Sequence, residues 1–277
     1  MNNQLAEAAK KKLLTVAHRG VSGGNIPCNT LAAYGIALRQ GADMIEIDVE
    51  MSADGNLFIF HPGMEAVHLW CAERLPRMTS EEISRLRYVN YDRAPTQFGL
   101  ATLDEVLEQF GNRCFINVDK FWGHPKEIYE AIRRHGMVER VVVKSVPSEK
   151  VLSVLEEVAP DLPFMPVVRN THPAHEKLMQ RRINYVGAEV LFADESAEVA
   201  SESFLERMHR DGKLVWVNSI IYDYREQLCA GHSDDCSLCG DPADGWGWLA
   251  KRGFDLIQTD WPKMMQDYLR TENLLYR

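Results

Sequence analysis

Four short stretches of this 277-residue sequence carry residue types that can do chemistry together. In "TVAHRGVSGG" (residues 15–24) a strand-like run delivers His18 and Arg19 into a glycine-rich loop, an imidazole that titrates near neutrality beside a guanidinium suited to anionic oxygens. In "MIEIDVE", Glu46 and Asp48 stand two apart, so on a strand both project to one face with Met44. Two neighbouring carboxylates repel unless a cation sits between them, and hard divalent ions take carboxylate oxygens. The competing reading turns both acids outward to pair with Lys or Arg. It fits less well, because Ile45, Ile47 and Val49 make the opposite face apolar, as a helix-covered face requires. "INVDKFW" offers a third carboxylate, Asp119, and an ammonium, Lys120. His61 closes "LFIFH" ahead of Pro62-Gly63, a turn that aims it back over the same place; a lone histidine of this kind is otherwise structural.

The elements that position these residues form a repeating pattern. Val- and Ile-rich runs, "LLTVAHRG", "MIEIDVE", "FINVDKF", "RVVVKSV", "FMPVVRN", "YVGAEVLF", "LVWVNSI" and "DLIQTDWP", alternate with amphipathic stretches such as "TLDEVLEQFG" and "PKEIYEAIRRHG". Thr102 with Glu105 reads as a capping box, and glycines 41, 111, 136 and 212 read as helix stops. Eight such units without a linker predict an α/β fold, a closed (β/α)8 TIM barrel forming one domain over residues 1–277. A doubly wound open sheet is the runner-up, but no Gly-rich phosphate loop opens a helix. After the second run, "SADGNLFIFHPG" reads as a turn and a short strand with no helix before Thr79, a β insertion over about residues 51–78. The active site of such a barrel lies at the C-terminal strand ends, where the polar residues above fall.

Composition narrows the partners. A net charge of −9 argues against nucleic acid, and 45% apolar residues suffice for a large core. No segment approaches a membrane span, the N-terminus has no signal-peptide pattern, and six cysteines are too few for a disulfide scaffold. The expectation is a cytoplasmic protein acting on a small molecule, its oligomeric state open.

"AHRG", "NT-LAAY", "GADMIEIDVEMSADGNLFIFH", "TLDEVLE", "INVDK" and "GFDLIQTDWP" resemble, in order and spacing, the glycerophosphodiester phosphodiesterases. The resemblance implies a TIM barrel with an insertion after strand two and one divalent cation, Mg²⁺ or Ca²⁺, held by Glu46, Asp48 and Asp119. It implies catalysis by His18 and His61, with Arg19 on the phosphate; Lys120, by its charge and place at the strand end, is expected to join it there. The implied reaction has two steps. A glycerol hydroxyl, deprotonated by one histidine, attacks phosphorus while the other protonates the leaving alcohol, and His61 is expected to be that acid. Water then opens the cyclic phosphate to give glycerol 3-phosphate, a role in glycerol and lipid metabolism. Trp216 matches a position often aromatic in the family and is expected to wall the substrate pocket or to fill the core. Glu189 either faces the pocket or pairs with a lysine.

The chain departs from the family at Cys28, where Glu is usual, at Pro62, where His61 is usually followed by Asp, and at Asp119-Lys120, often Glu-x-Lys. These changes touch the groups that orient the alcohol. Two rivals follow: a lyase that stops at the cyclic phosphate, and a catalytically idle ligand-binding barrel. Finally, residues 222–248 hold Cys229, His232, Cys236 and Cys239 with spacing compatible with zinc. The unfamiliar spacing and the interrupting Asp234 and Asp235 favour a substrate-covering loop, with His232 and both aspartates at the pocket mouth.

Overall fold

β-branched runs buried on both faces become parallel strands, and the amphipathic stretches between them become the helices that cover those strands. The structure, a computed structural model, describes residues 4–277. Its strands are β1 (Leu14–Ala17), β2 (Met44–Met51), β3 (Leu57–Ile59), β4 (Phe115–Asp119), β5 (Val141–Ser145), β6 (Phe164–Arg169), β7 (Gly187–Leu191), β8 (Leu214–Asn218) and β9 (Leu256–Thr259). Eight are parallel neighbours in chain order, and the pairing of β1 with both β2 and β9 closes the barrel. β3 is the extra strand, antiparallel to the end of β2 through Val49–Ile59 and Met51–Leu57. The closed eight-stranded barrel and the short β insertion expected from the sequence are both present.

Two cores divide the strand residues. Ile45, Ile47, Val49, Ile116 and Val118 point outward into the layer shared with the helices, which include Leu103–Phe110 and Pro125–Arg134. Val16, Met44, Val142, Met165, Trp216 and Leu256 fill the bore, and the N-terminal helix Gln4–Ala9 plugs it with Leu5 and Ala9. Glu46 and Asp48, on Met44's face, therefore point into the bore. Past residue 51 a third small core gathers around Phe58, Phe60, Leu75, Ile83 and Tyr88. The short helix Glu65–His68 and the capped helix Ser80–Ser84 belong to it, so helical turns do occur before and just after Thr79. The elements ahead of Leu103 thus run on past residue 78.

The Thr102–Glu105 capping box forms as expected. Of the four glycines read as helix stops, Gly41, Gly136 and Gly212 turn left-handed, whereas Gly111 stays helical. Gly111 is needed for closeness, since a Cβ there would meet Leu107 O at 2.5 Å. No helix among the described residues is long and apolar enough to cross a membrane.

Candidate active site

The C-terminal end of β2 anchors the polar cluster. The β2–β4 register sets Glu46 beside Asn117 and Asp48 beside Asp119, so three carboxylates converge with ligand atoms within 4.8 Å of one another. Glu46 is 3% exposed and Asp48 fully buried. Burial first, and then the charges of Asp48 and Asp119, push Glu46 from 4.5 up to about 7, although His18 and Arg19 pull the other way. Asp119 goes the opposite way: burial would raise it, but Lys120 at 2.5 Å and Lys144 lower it.

Asp48 is braced on one oxygen only. Its Oδ2 accepts from Asn29 Nδ2 at 2.9 Å, and the Asn29 Oδ1 is held in turn by the Tyr34 hydroxyl at 2.8 Å. Arg19 Nε lies 3.0 Å from the same Oδ2 but off the angle for a hydrogen bond. Asp48 Oδ1 has no hydrogen-bond partner at all, and its nearby cation, Lys120 Nζ, is 3.8 Å away. An unpaired buried carboxylate oxygen beside two further acids is costly unless something positive meets it. This donor set, all oxygen and all anionic, fits a hard divalent cation.

β1 delivers the base and the guanidinium. The chain leaves β1 into a left-handed turn with Arg19 at φ 55° and Gly20 at φ 77°, where a Cβ on Gly20 would strike Ala33 at 2.7 Å. The turn points the Arg19 N–H at Glu46 Oε2 (2.9 Å) and its side chain over Asp48. His18 meets Asp260 Oδ1 through Nδ1 at 2.8 Å, and the edge of Tyr222 packs on its ring at 5.7 Å. Burial alone would lower His18, but the Asp260 hydrogen bond and the charge of Glu46 outweigh it, and the net direction is up. His61, brought over the bore by β3, moves down, mainly because it is half-buried; its Nδ1 sits 3.0 Å from Pro62 O.

His18, Arg19, Glu46, His61, Asp119 and Lys120 all line one cavity of about 380 Å³, together with Lys144, Glu189, Tyr222 and Gln258. Asp48 lies beneath them. Trp216 does not line it: this tryptophan is fully buried in the bore, its ring 3.9 Å below Lys144 Nζ. Glu189 takes both of its readings, facing the cavity while pairing with Lys144 at 2.7 Å. Asp260, Lys144, Asn29 and Tyr222 were missed from the sequence. The first two are polar residues at strand ends in "DLIQTDWP" and "RVVVKSV", and Asn29 lies in the quoted "NT"; Tyr222 carries no local signal. Cys28 is mostly buried near Arg19, and burial pushes its thiol up to about 11, so the position is neutral where the family has an acid.

The segment after β8 corrects the sequence reading. His232 is buried, stacked on Trp248 at 3.8 Å, with Nδ1 2.5 Å from Asp244 O and Nε2 3.1 Å from Glu195. Both ring nitrogens are taken. Cys229 is buried and its thiol is pushed up by that burial, while Cys239 is exposed. The only His/Cys/Asp/Glu group among the described residues arranged for a metal is Glu46, Asp48 and Asp119. Nor do His232 and Asp234 stand at the pocket mouth, because both are packed into a folded subassembly containing the helices Asp234–Cys239 and Trp246–Arg252.

Comparison with known proteins gives three kinds of match. A family model described as a domain of unknown function matches residues 164–269. A glycerophosphodiester phosphodiesterase of Caldanaerobacter subterraneus is 32% identical over 148 residues, covering 48% of this chain and 58% of that protein. One from Bacillus subtilis is 28% identical over 182 residues, again 58% of its length. The chain thus aligns with less than two thirds of these curated relatives. Among solved structures, a glycerophosphoryl diester phosphodiesterase from Parabacteroides distasonis superposes with a TM-score of 0.77 at 16% identity, over 97% of this chain and 91% of that one. An Oleispira antarctica phosphodiesterase in complex with the product sn-glycerol-3-phosphate superposes with a TM-score of 0.66 at 20% identity, over 96% and 99%. At these identities the structures speak for the fold.

Proposed function

We propose that this chain hydrolyses glycerophosphodiesters to glycerol 3-phosphate and an alcohol, a reading supported by the curated relatives named glycerophosphodiester phosphodiesterase that it matches over part of their length. The observation that carries the reading is the convergence of two histidines, a guanidinium, two ammonium groups and the carboxylates Glu46 and Asp119 on one 380 Å³ cavity, with Asp48 completing the acidic group beneath it. We further propose that Glu46, Asp48 and Asp119 hold one divalent cation, Mg²⁺ or Ca²⁺. When bound, the ion would offset two of the three negative charges of these acids and stabilise charge developing on the phosphate oxygens.

The chain's own residues do the rest. Arg19 and Lys120 face the cavity as the two cations that bind the non-bridging oxygens. His18 and His61 hold the proton to be given and the place for the proton to be taken. The raised His18 and lowered His61 favour His18 as the donor and His61 as the base that deprotonates the glycerol hydroxyl. That order is the reverse of the one expected from the sequence. Attack of that hydroxyl on phosphorus closes a five-membered cyclic phosphate as the alcohol leaves with the His18 proton. Water, deprotonated at His18, then reopens the ring while His61 returns its proton, giving glycerol 3-phosphate. An adjoining cavity of about 620 Å³, bordered by His18, Arg19, Cys28, His68, Tyr91 and Trp261, offers room for the alcohol. The chain is proposed to act as one domain and in the cytoplasm. The test is a screen of glycerophosphodiesters with Mg²⁺, Ca²⁺ or EDTA: turnover with either ion and none in EDTA supports the reading, and no turnover of any diester under any condition rejects it.

A further inference from the structure

The segment after β8 contributes a buried carboxylate that the reaction above does not use. Asp234 is 2% exposed. Its Oδ1 accepts from Trp246 Nε1 at 2.7 Å and Thr259 Oγ1 at 2.8 Å, and Ser219 Oγ lies 2.6 Å away; its Oδ2 accepts from the Asp260 N–H at 2.9 Å. A carboxylate this deep is expensive unless its oxygens are hydrogen-bonded, and here both are. As a plain staple it would simply join the segment to the barrel.

The position of the donors says more. Thr259 and Asp260 form the shelf on which His18 rests. The His18 N–H donates to Thr259 O at 3.2 Å, and His18 Nδ1 meets Asp260 Oδ1 at 2.8 Å. Thr259 Oγ1, besides donating to Asp234, accepts from the Trp261 N–H at 2.9 Å. One carboxylate therefore pins the backbone on both sides of Asp260. The Asp260 side chain is 47% exposed, so its backbone and the imidazole are what hold its carboxylate in place. Tyr222, from the same segment as Asp234, closes the other side of the ring.

We propose that Asp234 is a positioning residue for His18. By fixing Asp260 it keeps the imidazole proton on Nδ1 and the ring in the plane that presents Nε2 to the phosphodiester. The catalytic meaning of this rests on the role given to His18 above; the structural claim does not. Without the anchor, Asp260 turns to water and the ring is free to take the Nε2–H tautomer, as free histidine prefers.

The test is Asp234→Asn in the whole chain, which keeps the shape but cannot accept at both side-chain atoms. Two readouts are taken. One is the tautomer of His18 from its ¹⁵N shifts in metal-free protein at pH 9. The other is the kinetics of glycerol 3-phosphate release from glycerophosphoethanolamine. Wild type should show one tautomer, Nδ1–H, and the variant a mixture, with kcat down about 10- to 100-fold and KM within about twofold. Asp260→Asn should behave alike, and the double variant should be no worse than either single one. A staple alone would lower Tm and leave the tautomer and the kcat per folded molecule unchanged, and that result overturns the proposal. If Asp234→Asn does not fold, Thr259→Val removes one of its donors and keeps the carboxylate; a smaller tautomer shift supports positioning, and none overturns it. Should the protein cleave no glycerophosphodiester, the spectra still decide between anchor and staple.

Discussion

Replacing Glu46 with Gln should stabilise the metal-free protein at alkaline pH and abolish its response to metal. Gln keeps the side chain's shape and the acceptor for the Arg19 N–H (2.9 Å) while removing one of three crowded charges. In the unfolded chain Glu46 titrates near 4.5, and in the folded chain near 7. Below about 4.5 both states carry the proton and the site costs nothing. As pH rises, the unfolded state releases its proton first, so stability falls until the folded site has also ionised, above about 7. At about 1.4 kcal/mol per pH unit this amounts to about 3 kcal/mol at pH 8. With an unfolding entropy of about 2.1 cal/mol/K per residue over 277 residues, Glu46→Gln should raise Tm by about 5–6 °C at pH 8 in EDTA, and by little at pH 4.5. Scanning calorimetry at the two pH values reads this directly. Added Mg²⁺ should then raise the Tm of the wild type and leave the variant unmoved. A variant no more stable than the wild type at pH 8 in EDTA would refute the crowding of these three acids.

Other expectations concern the histidines and the cysteines. His18→Ala and His61→Ala should each lose about 10²–10⁴ in kcat on glycerophosphoethanolamine. On a nitrophenyl glycerophosphodiester, whose leaving group needs no proton, the first-turnover release of nitrophenol should recover most of its loss in His18→Ala and not in His61→Ala; the opposite pattern would restore His61 as the acid. Changing Cys229, Cys236 and Cys239 together to Ser should cost about 1–2 kcal/mol, from the hydroxyl placed at buried Cys229, and leave metal content unchanged. Stoichiometric zinc lost together with the fold would contradict that.

The inward face of β2 was legible because the period of a strand is two and Ile45, Ile47 and Val49 have no other place to go. Asp119 followed once β4 was laid beside β2, although the register pairing it with Asp48 is set by the whole barrel. Trp216 illustrates where such reasoning stops. Alternation assigns it to the bore but says nothing of depth along the strand, and it sits one layer below the cavity, under Lys144. The placing of His232 and Asp234 at the pocket mouth failed for a related reason. A loop position does not say which way a side chain turns, and tertiary packing turned His232 onto Trp248 and Asp234 onto Thr259 and Asp260. The partnership of His18 with Asp260 spans 242 residues and became visible only when β9 closed against β1.

The phosphorus-containing product is the most direct test. ³¹P NMR should follow glycerophosphoethanolamine incubated with the protein and Mg²⁺, with a parallel sample in EDTA. The expected result is a glycerol 3-phosphate signal growing to completion, any cyclic phosphate transient, and no change in EDTA. Cyclic glycerophosphate that accumulates and persists would make the protein a lyase, and an unaltered diester signal with every cation would contradict a catalytic role for this cavity.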